Sequence, residues 1–507
     1  MKGAFSSYTN NIGGGRVIVL FLLFLLALYL LATAGLSSFA VIGFVPVLLL
    51  AIIVFLRYPI VAFWALTFVN YFVMWQLTPR PSGIPTSLYN EMFEIILIML
   101  AIINTKDTRF ERCNNIMFFA LTVWCTFCIL EVLNNTCGIG INISVWFTGV
   151  RLMAFQLLYA FIVFSLYISK PSILIKYLYV WGALSLFAVF WIWKQKYVGL
   201  TTGETAWLYG PHGRQHLLQA GTLIRYWSIY SDAATCGIGM ASTATAFIIF
   251  SIASKTIKHK IFFLIVGIAN AWGIFPTGTR TAIICFIAGL MAYIFLSRSF
   301  KIAIPFTIVF ALAVFLLAFT KIGNSNQQIR RMRTAFDRKD ASTNVRTINQ
   351  TAMKRYMKEA PWGVGIGVMS NNLPARNKYK VLLSIPPDSE YVFIWIRTGR
   401  IGISIFIITM LLMLGGACWI VLFKLKSPTL RGIGAGFCCA FVSQQLGGYG
   451  NQVLMQFPNC LTIYGGLSIV YILPFIEKEW VKYENKLLAQ QEDRKRLKLE
   501  KKKASRV

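Results

Sequence analysis

The sequence predicts an all-α, polytopic membrane protein with about fourteen transmembrane helices, twelve being the lower bound. Three observations carry this. Hydrophobic residues make up 57% of the 507 and charged residues only 13%, giving a mean hydropathy of +0.64. Apolar runs near the roughly 20 residues needed to cross a bilayer recur along the chain. The loops between them alternate between basic and charge-poor. A water-soluble globular class is excluded.

The first run, "RVIVLFLLFLLALYLLATAGL" from Arg16, lacks a small-residue cleavage site and is too long for a signal-peptide core, so it reads as a retained span. The expected spans are 16–35, 39–56, 58–77, 90–104, 116–134, 146–168, 177–195, 235–253, 261–276, 280–297, 302–319, 400–423, 432–447 and 459–476. Short cytoplasmic loops carry an excess of Lys and Arg. With the N-terminus inside, every second loop obeys: Arg57, "KDTRFER", "SKPSILIK", "SKTIKHK", "SRSFK", "KLKSPTLR" and the tail. The opposite loops, such as "TPRPSGIPTSLYN" and "NNTCGIGINIS", are poor in charge. An even span count with both termini cytoplasmic is therefore self-consistent.

Four regions follow: a transmembrane bundle over 1–320, a large basic periplasmic loop over 321–388, the last three spans over 389–477, and a basic cytoplasmic tail over 478–507. The large loop holds thirteen Lys and Arg against four acids. Within it, "NVRTINQTAMKRYMKEAPWGVGIG" has helical periodicity with Val345, Ile348, Ala352, Tyr356 and Met357 near one face, and Pro361 with the following glycines stops that helix. A second long outer segment covers 196–234. The net charge of +31 does not point to nucleic acid, because it is gathered in loops and tail. The tail, with eleven Lys and Arg against five acids, reads as a basic helix beside anionic lipid. Most cysteines lie inside apolar runs, and "CTFC" at Cys125 and Cys128 reads as helix packing.

Arg280 in "FPTGTRTAIICF" stands at the outer end of two adjoining spans. An isolated arginine there can snorkel to the interface. Alternatively, Thr277, Thr279 and Thr281 with the N–H groups of a new helix form a donor-rich cup for a phosphate oxygen. Arg225, where a loop meets a span, and Arg151, near the outer end of its own span, are further candidates, since ionisable residues at membrane depth are costly. A pyrophosphate would satisfy two or three such arginines if the fold brought them together. None of the eighteen acids forms an Asp-x-Asp pair or a His/Asp cluster for a divalent ion, so no metal or other cofactor is expected. His212 and His216 read as surface residues, and His259 falls on the inner side.

The stretch "PPDSEYVFIWIRTGRIG" adds charge to an apolar run. Glu390 to Phe423 is 34 residues, roughly 51 Å as helix against roughly 30 Å of hydrocarbon. One span cannot hold it. If Ile401–Phe423 crosses, the preceding turns project outward, with Gly399 a possible bend. An interfacial helix with snorkelling arginines is the other reading.

Taken in order, these elements resemble the O-antigen ligase and O-antigen polymerase superfamily. "TGTRT" looks like its Arg element opening a span, "NVRTINQTAMKRYMKEAPWGVGIG" its Arg-led outer helix ending in Pro and Gly-x-Gly, and "DSEYVFIWIRTGRIG" its loop-to-span junction; "IYSDAATCGIGMA" is similar to an element before an earlier span. The resemblance implies a glycosyltransferase that uses an undecaprenyl-pyrophosphate-linked glycan, with arginines on the pyrophosphate and a base near the end of the large loop. Arg280, Arg346 and Arg225 match by motif. Ligases of the family carry His followed by Asn eleven residues before the closing glycine, and that position here is Asp388 followed by Ser389. Asp388 is thus the expected base, with Glu390 the runner-up. The acceptor, whether a glycolipid, a second glycan or a protein hydroxyl, separates ligase from polymerase from protein O-oligosaccharyltransferase. A transporter or flippase for a lipid-linked saccharide is the competing class. The expected location is a bacterial inner membrane.

Overall fold

The computed structural model describes residues 49–76, 85–106, 108–210, 214–219, 223–297 and 341–504, with single positions at 308, 312, 315 and 320. Two compact units divide the chain, Met1–Trp64 and Ala65–Val507. Helix α1 (Leu49–Arg57) ends at a 118° bend before α2 (Pro59–Phe72). The fold is helical. Helices α3 (Ser87–Ile103), α4 (Ile116–Leu130), α5 (Ile143–Val150), α6 (Gln156–Tyr167), α7 (Pro171–Tyr197), α8 (Thr202–Tyr209), α9 (Ala233–Ala253), α10 (Ile257–Gly273), α11 (Arg280–Ser297), α12 (Ala341–Met357), α13 (Lys378–Ser384), α14 (Glu390–Trp419), α15 (Pro428–Gly450) and α16 (Asn459–Ala504) follow in order. One short antiparallel pair interrupts them, β1 (Leu218–Gln219) with β2 (Leu223–Ile224).

Among the described residues, eight helices are long and apolar enough to cross a membrane, or nine counting the bent pair. Several match expected spans closely, and Arg280–Ser297 does so at both ends. The count of fourteen is not reached. The expected spans 16–35 and 302–319 lie outside the described residues or touch only single positions, and 39–56 is described only from residue 49. Two more fall short of that length and hydropathy: α3 has 17 residues, about 26 Å, and α15 carries six Gly and the polar run Ser443–Gln445.

Small residues let the central helices approach closely. A Cβ on Gly436 would meet the Phe250 ring of α9, with Cδ1 at 2.8 Å. Deeper in that contact Ser242 donates to Gln444 Oε1 at 3.2 Å and lies 3.2 Å from Ser443 Oγ. Trp181 of α7 stacks on Phe437 of α15 at 5.9 Å and 10° and meets Phe247 of α9 edge-on at 4.8 Å. Thus α7, α9 and α15 share one aromatic core. At the far end α16 runs on unbroken past residue 477: Glu477 accepts from the backbone of Lys426 and Ser427 at 2.7 and 2.6 Å, and Glu484 pairs with Lys255 at 2.8 Å.

Polar groups are also buried in the first half. Arg151 lies 3.3 Å from Glu91 and donates to Ser87 at 3.1 Å, while Gln156 donates to Glu94 at 2.8 Å. Arg151 and Gln156 are five apart, a spacing that an α-helix would turn to different sides. A π-turn over Arg151–Phe155 closes with Gln156 N–H on the Arg151 carbonyl, and its wider turn aims both side chains at α3. Both members of the ion pair are 7–8% exposed. Arg151→Ala would strand Glu91 in a low dielectric, and the expected loss is about 3–5 kcal/mol. Thermal unfolding in detergent measures it, with Glu91→Gln/Arg151→Met milder than the single change.

The opening of α14 has the expected bend. Gly399 adopts φ 67°, ψ −164°, which breaks the helix between Thr398 and Arg400. The break frees carbonyls, and the segment after α12 takes them up: Val364 N donates to Ile396 O at 2.9 Å and Gly365 N to Arg397 O at 3.0 Å, while Arg400 N donates to Pro361 O at 2.9 Å. A Cβ on Gly399 would run into the Pro361 carbonyl oxygen, and its φ disfavours any L side chain. Gly399→Ala is therefore expected to cost about 1–3 kcal/mol in backbone strain alone. Lowered thermal stability would register it.

Candidate functional site

The site is assembled where α9, α11, α14 and α15 end or begin. A 3₁₀ turn over Phe275–Thr277 and a left-handed Gly278 (φ 59°) deliver the chain to Arg280, the first residue of α11. The expected cup of threonine donors is turned inward. Thr277 Oγ1 donates to Ile274 O at 2.7 Å and Thr279 Oγ1 to Ala233 O at 3.0 Å. These groups hold a guanidinium: Arg225 Nε donates to Thr277 O at 3.2 Å and Nη2 to Thr279 Oγ1 at 3.0 Å. Burial pushes the Arg225 guanidinium down from the usual arginine range, Arg280 pushes it further down, and Asp232 opposes both. Arg225 and Arg280 are thus within electrostatic reach of each other.

Gly450, at the end of α15, joins the next two pieces. A Cβ there would meet Thr281 Oγ1 at 2.9 Å, so this glycine packs directly beside the start of α11. Its carbonyl accepts from Arg346 Nη2 at 2.6 Å. The end of a helix leaves carbonyls unpaired and carries partial negative charge, both of which favour a guanidinium. On the same face of α12 and three residues on, Asn349 Nδ2 donates to Asp388 Oδ2 at 3.3 Å. Asp388 is half-buried and has φ 53°, a left-handed conformation that Asp tolerates better than most residues. Ser389, next to it, donates to Gly448 O at 3.1 Å. Contacts therefore link Arg225, Arg280, Arg346 and Asp388 around the end of α15.

The inward face of α12 differs from the sequence expectation. Met353 and Met357 are buried, whereas Val345 and Ile348 are 53% and 67% exposed. Arg346 and Asn349 take the inward positions because they have polar partners there.

Two further candidates are committed elsewhere. Glu390 is buried and its Oε2 accepts from Leu454 N at 3.0 Å, so it secures the loop after α15. Arg151 is paired with Glu91 and Ser87 of α3. The sequence reading passed over Asn349, whose spacing from Arg346 was visible, and Gly450, for which no local signal exists. It also set aside His216, which lies 3.3 Å from Asp232.

Residues 262–407 match the family model for O-antigen ligase. The match spans less than a third of the chain and supports a likeness of this region to the O-antigen ligase superfamily. No curated protein matches the chain. The ligase-family domain contains Arg280, Arg346, Asp388 and the Pro361–Gly399 joint, while Arg225 and Gly450 complete the group from outside it. The family implies a glycosyltransferase-like ligase or polymerase activity, with a lipid-linked glycan and an acceptor as partners. With eight long apolar helices among the described residues, the protein is a multi-pass membrane protein.

Proposed function

We propose that the protein is an inner-membrane glycosyltransferase of O-antigen ligase type, moving a glycan from undecaprenyl pyrophosphate to an acceptor hydroxyl on the periplasmic face. Asp388 takes the proton of that hydroxyl as its oxygen attacks the anomeric carbon. The bond from that carbon to the pyrophosphate oxygen breaks, and the electron pair leaves with the pyrophosphate. Arg280, Arg346 and Arg225 bind the leaving group and stabilise its growing charge. A single displacement inverts the anomeric centre, and the step is metal-independent. Both termini are cytoplasmic in this orientation, and the fourteen-span count belongs with it. The segment from 321 to Asp388 then faces the periplasm.

The observation that carries this reading is the chain of contacts from the Arg225–Arg280 pair through Thr281 and Gly450 to Arg346, Asn349 and Asp388. It ties a carboxylate, through Asn349 and the helix that bears Arg346, to a group of arginines, and this supports a base-assisted displacement of a diphosphate. Purified protein in liposomes, given undecaprenyl-pyrophosphate glycan and candidate acceptors, is expected to glycosylate one acceptor. Transbilayer movement of the donor without any transfer would overturn the reading in favour of a flippase. Acceptor identity would separate ligase from polymerase and from protein O-oligosaccharyltransferase.

A further inference from the structure

His216 sits on the short hairpin that carries Arg225. β1 and β2 pair with Leu218 opposite Ile224, and Arg225 N extends the ladder to Leu217 O at 2.9 Å. The hairpin is anchored on both sides. Leu217 is buried with Leu208, Trp227 and Ala233, and Tyr226 N donates to Pro276 O at 3.2 Å, in the turn that leads to Arg280. His216 is therefore fixed in register beside one site arginine and tied to the approach of the other.

Asp232 orients the ring. It caps α9, accepting from Ala234 N at 3.3 Å through Oδ2, and its Oδ1 lies 3.3 Å from His216 Nε2. Burial alone would raise the Asp232 carboxyl, but the His216 hydrogen bond and the Arg225 charge outweigh it and hold the group below the usual carboxylate range. One carboxylate thus stands against Arg225, which in turn feels Arg280, and both its oxygens are already engaged. The balance remains positive. The His216 side chain is 55% exposed, and Nδ1 lies on the ring edge opposite the bond to Asp232.

We propose that His216, oriented through Nε2 by Asp232, is a fourth ligand of the lipid diphosphate and the one that distinguishes two phosphates from one. With Nε2–H given to Asp232, Nδ1–H is the group that donates to a phosphate oxygen. The His216–Arg225 edge then holds one phosphate while Arg280 and Arg346 hold the other. This rests on the diphosphate reading above. It goes further by assigning a role to a residue with neither a motif nor an apolar setting.

The test is binding of undecaprenyl diphosphate and undecaprenyl phosphate to the purified full-length protein. Wild type is expected to prefer the diphosphate. His216→Ala should weaken diphosphate binding by about tenfold, the value of one charge-assisted hydrogen bond, and leave monophosphate binding within about twofold. His216→Gln, which retains an N–H donor, should recover part of the loss. Asp232→Asn should lower the diphosphate preference in the same direction. Unchanged selectivity in His216→Ala, or an equal loss for both lipids, would overturn the proposal. If neither lipid's binding responds to Arg280→Ala, the diphosphate reading itself fails, whatever His216 does.

Discussion

Asp388→Asn is expected to lower glycan transfer by about 10²–10⁴-fold, the usual contribution of a positioned general base, without disturbing the fold. The substitution keeps size and shape. Asn is as tolerant as Asp of a left-handed backbone, so φ 53° at this position is no obstacle. Its amide oxygen can still accept from Asn349, which donates to Asp388 at 3.3 Å. What disappears is a group able to take a proton. Single-turnover transfer with a saturating donor reads the effect, and unchanged thermal unfolding confirms that the chemistry was lost and not the structure. Full activity would remove Asp388 as the base. The buried Glu390 offers no ready replacement, since its carboxylate holds the backbone at Leu454.

Arg280→Ala is expected to reduce transfer by about 10²–10³-fold, the scale seen when one preorganised donor to a developing anion is removed. The cationic character here is shared, because Arg225 lies within electrostatic reach of Arg280. Thermal unfolding of the variant separates a loss of rate from a loss of fold. Arg280→Lys should restore only part of the rate, since an ammonium keeps the charge but not the planar fork that grips a phosphate. Transfer rate against donor concentration separates a binding defect from a slower chemical step. A rate equal to wild type in Arg280→Ala would exclude this arginine from the leaving-group site.

Helices were the legible part of the fold because their signal is local. The run Arg280–Ser297 is bounded by a turn on one side and by a basic loop on the other, and its ends agree with the structure. The bend at Gly399 was legible from length alone: 34 residues from Glu390 exceed one crossing. In the site, Arg346 and Asp388 could be singled out by their order along the chain. Their link could not: Asn349 reaches Asp388 from 39 residues away, and Gly450, 104 residues from Arg346, contributes only a carbonyl and a missing Cβ. The setting of Arg151 was hidden for a similar reason: its partner Glu91 is 60 residues away, and a π-turn changes which residues share its face. The threonines near Arg280 do make a polar cluster, but hydroxyls are local donors, and nearby carbonyls capture them before any ligand could.

Arg346 and Asn349 ride on one rigid helix, three residues apart, one fastened to the Gly450 carbonyl and the other to Asp388. The two fastenings cannot be adjusted separately. A shift or roll of α12 that slackened the arginine would slacken the aspartate's partner in the same motion, so in the proposed mechanism leaving-group recognition and base placement share one lever, held by the buried Met353 and Met357.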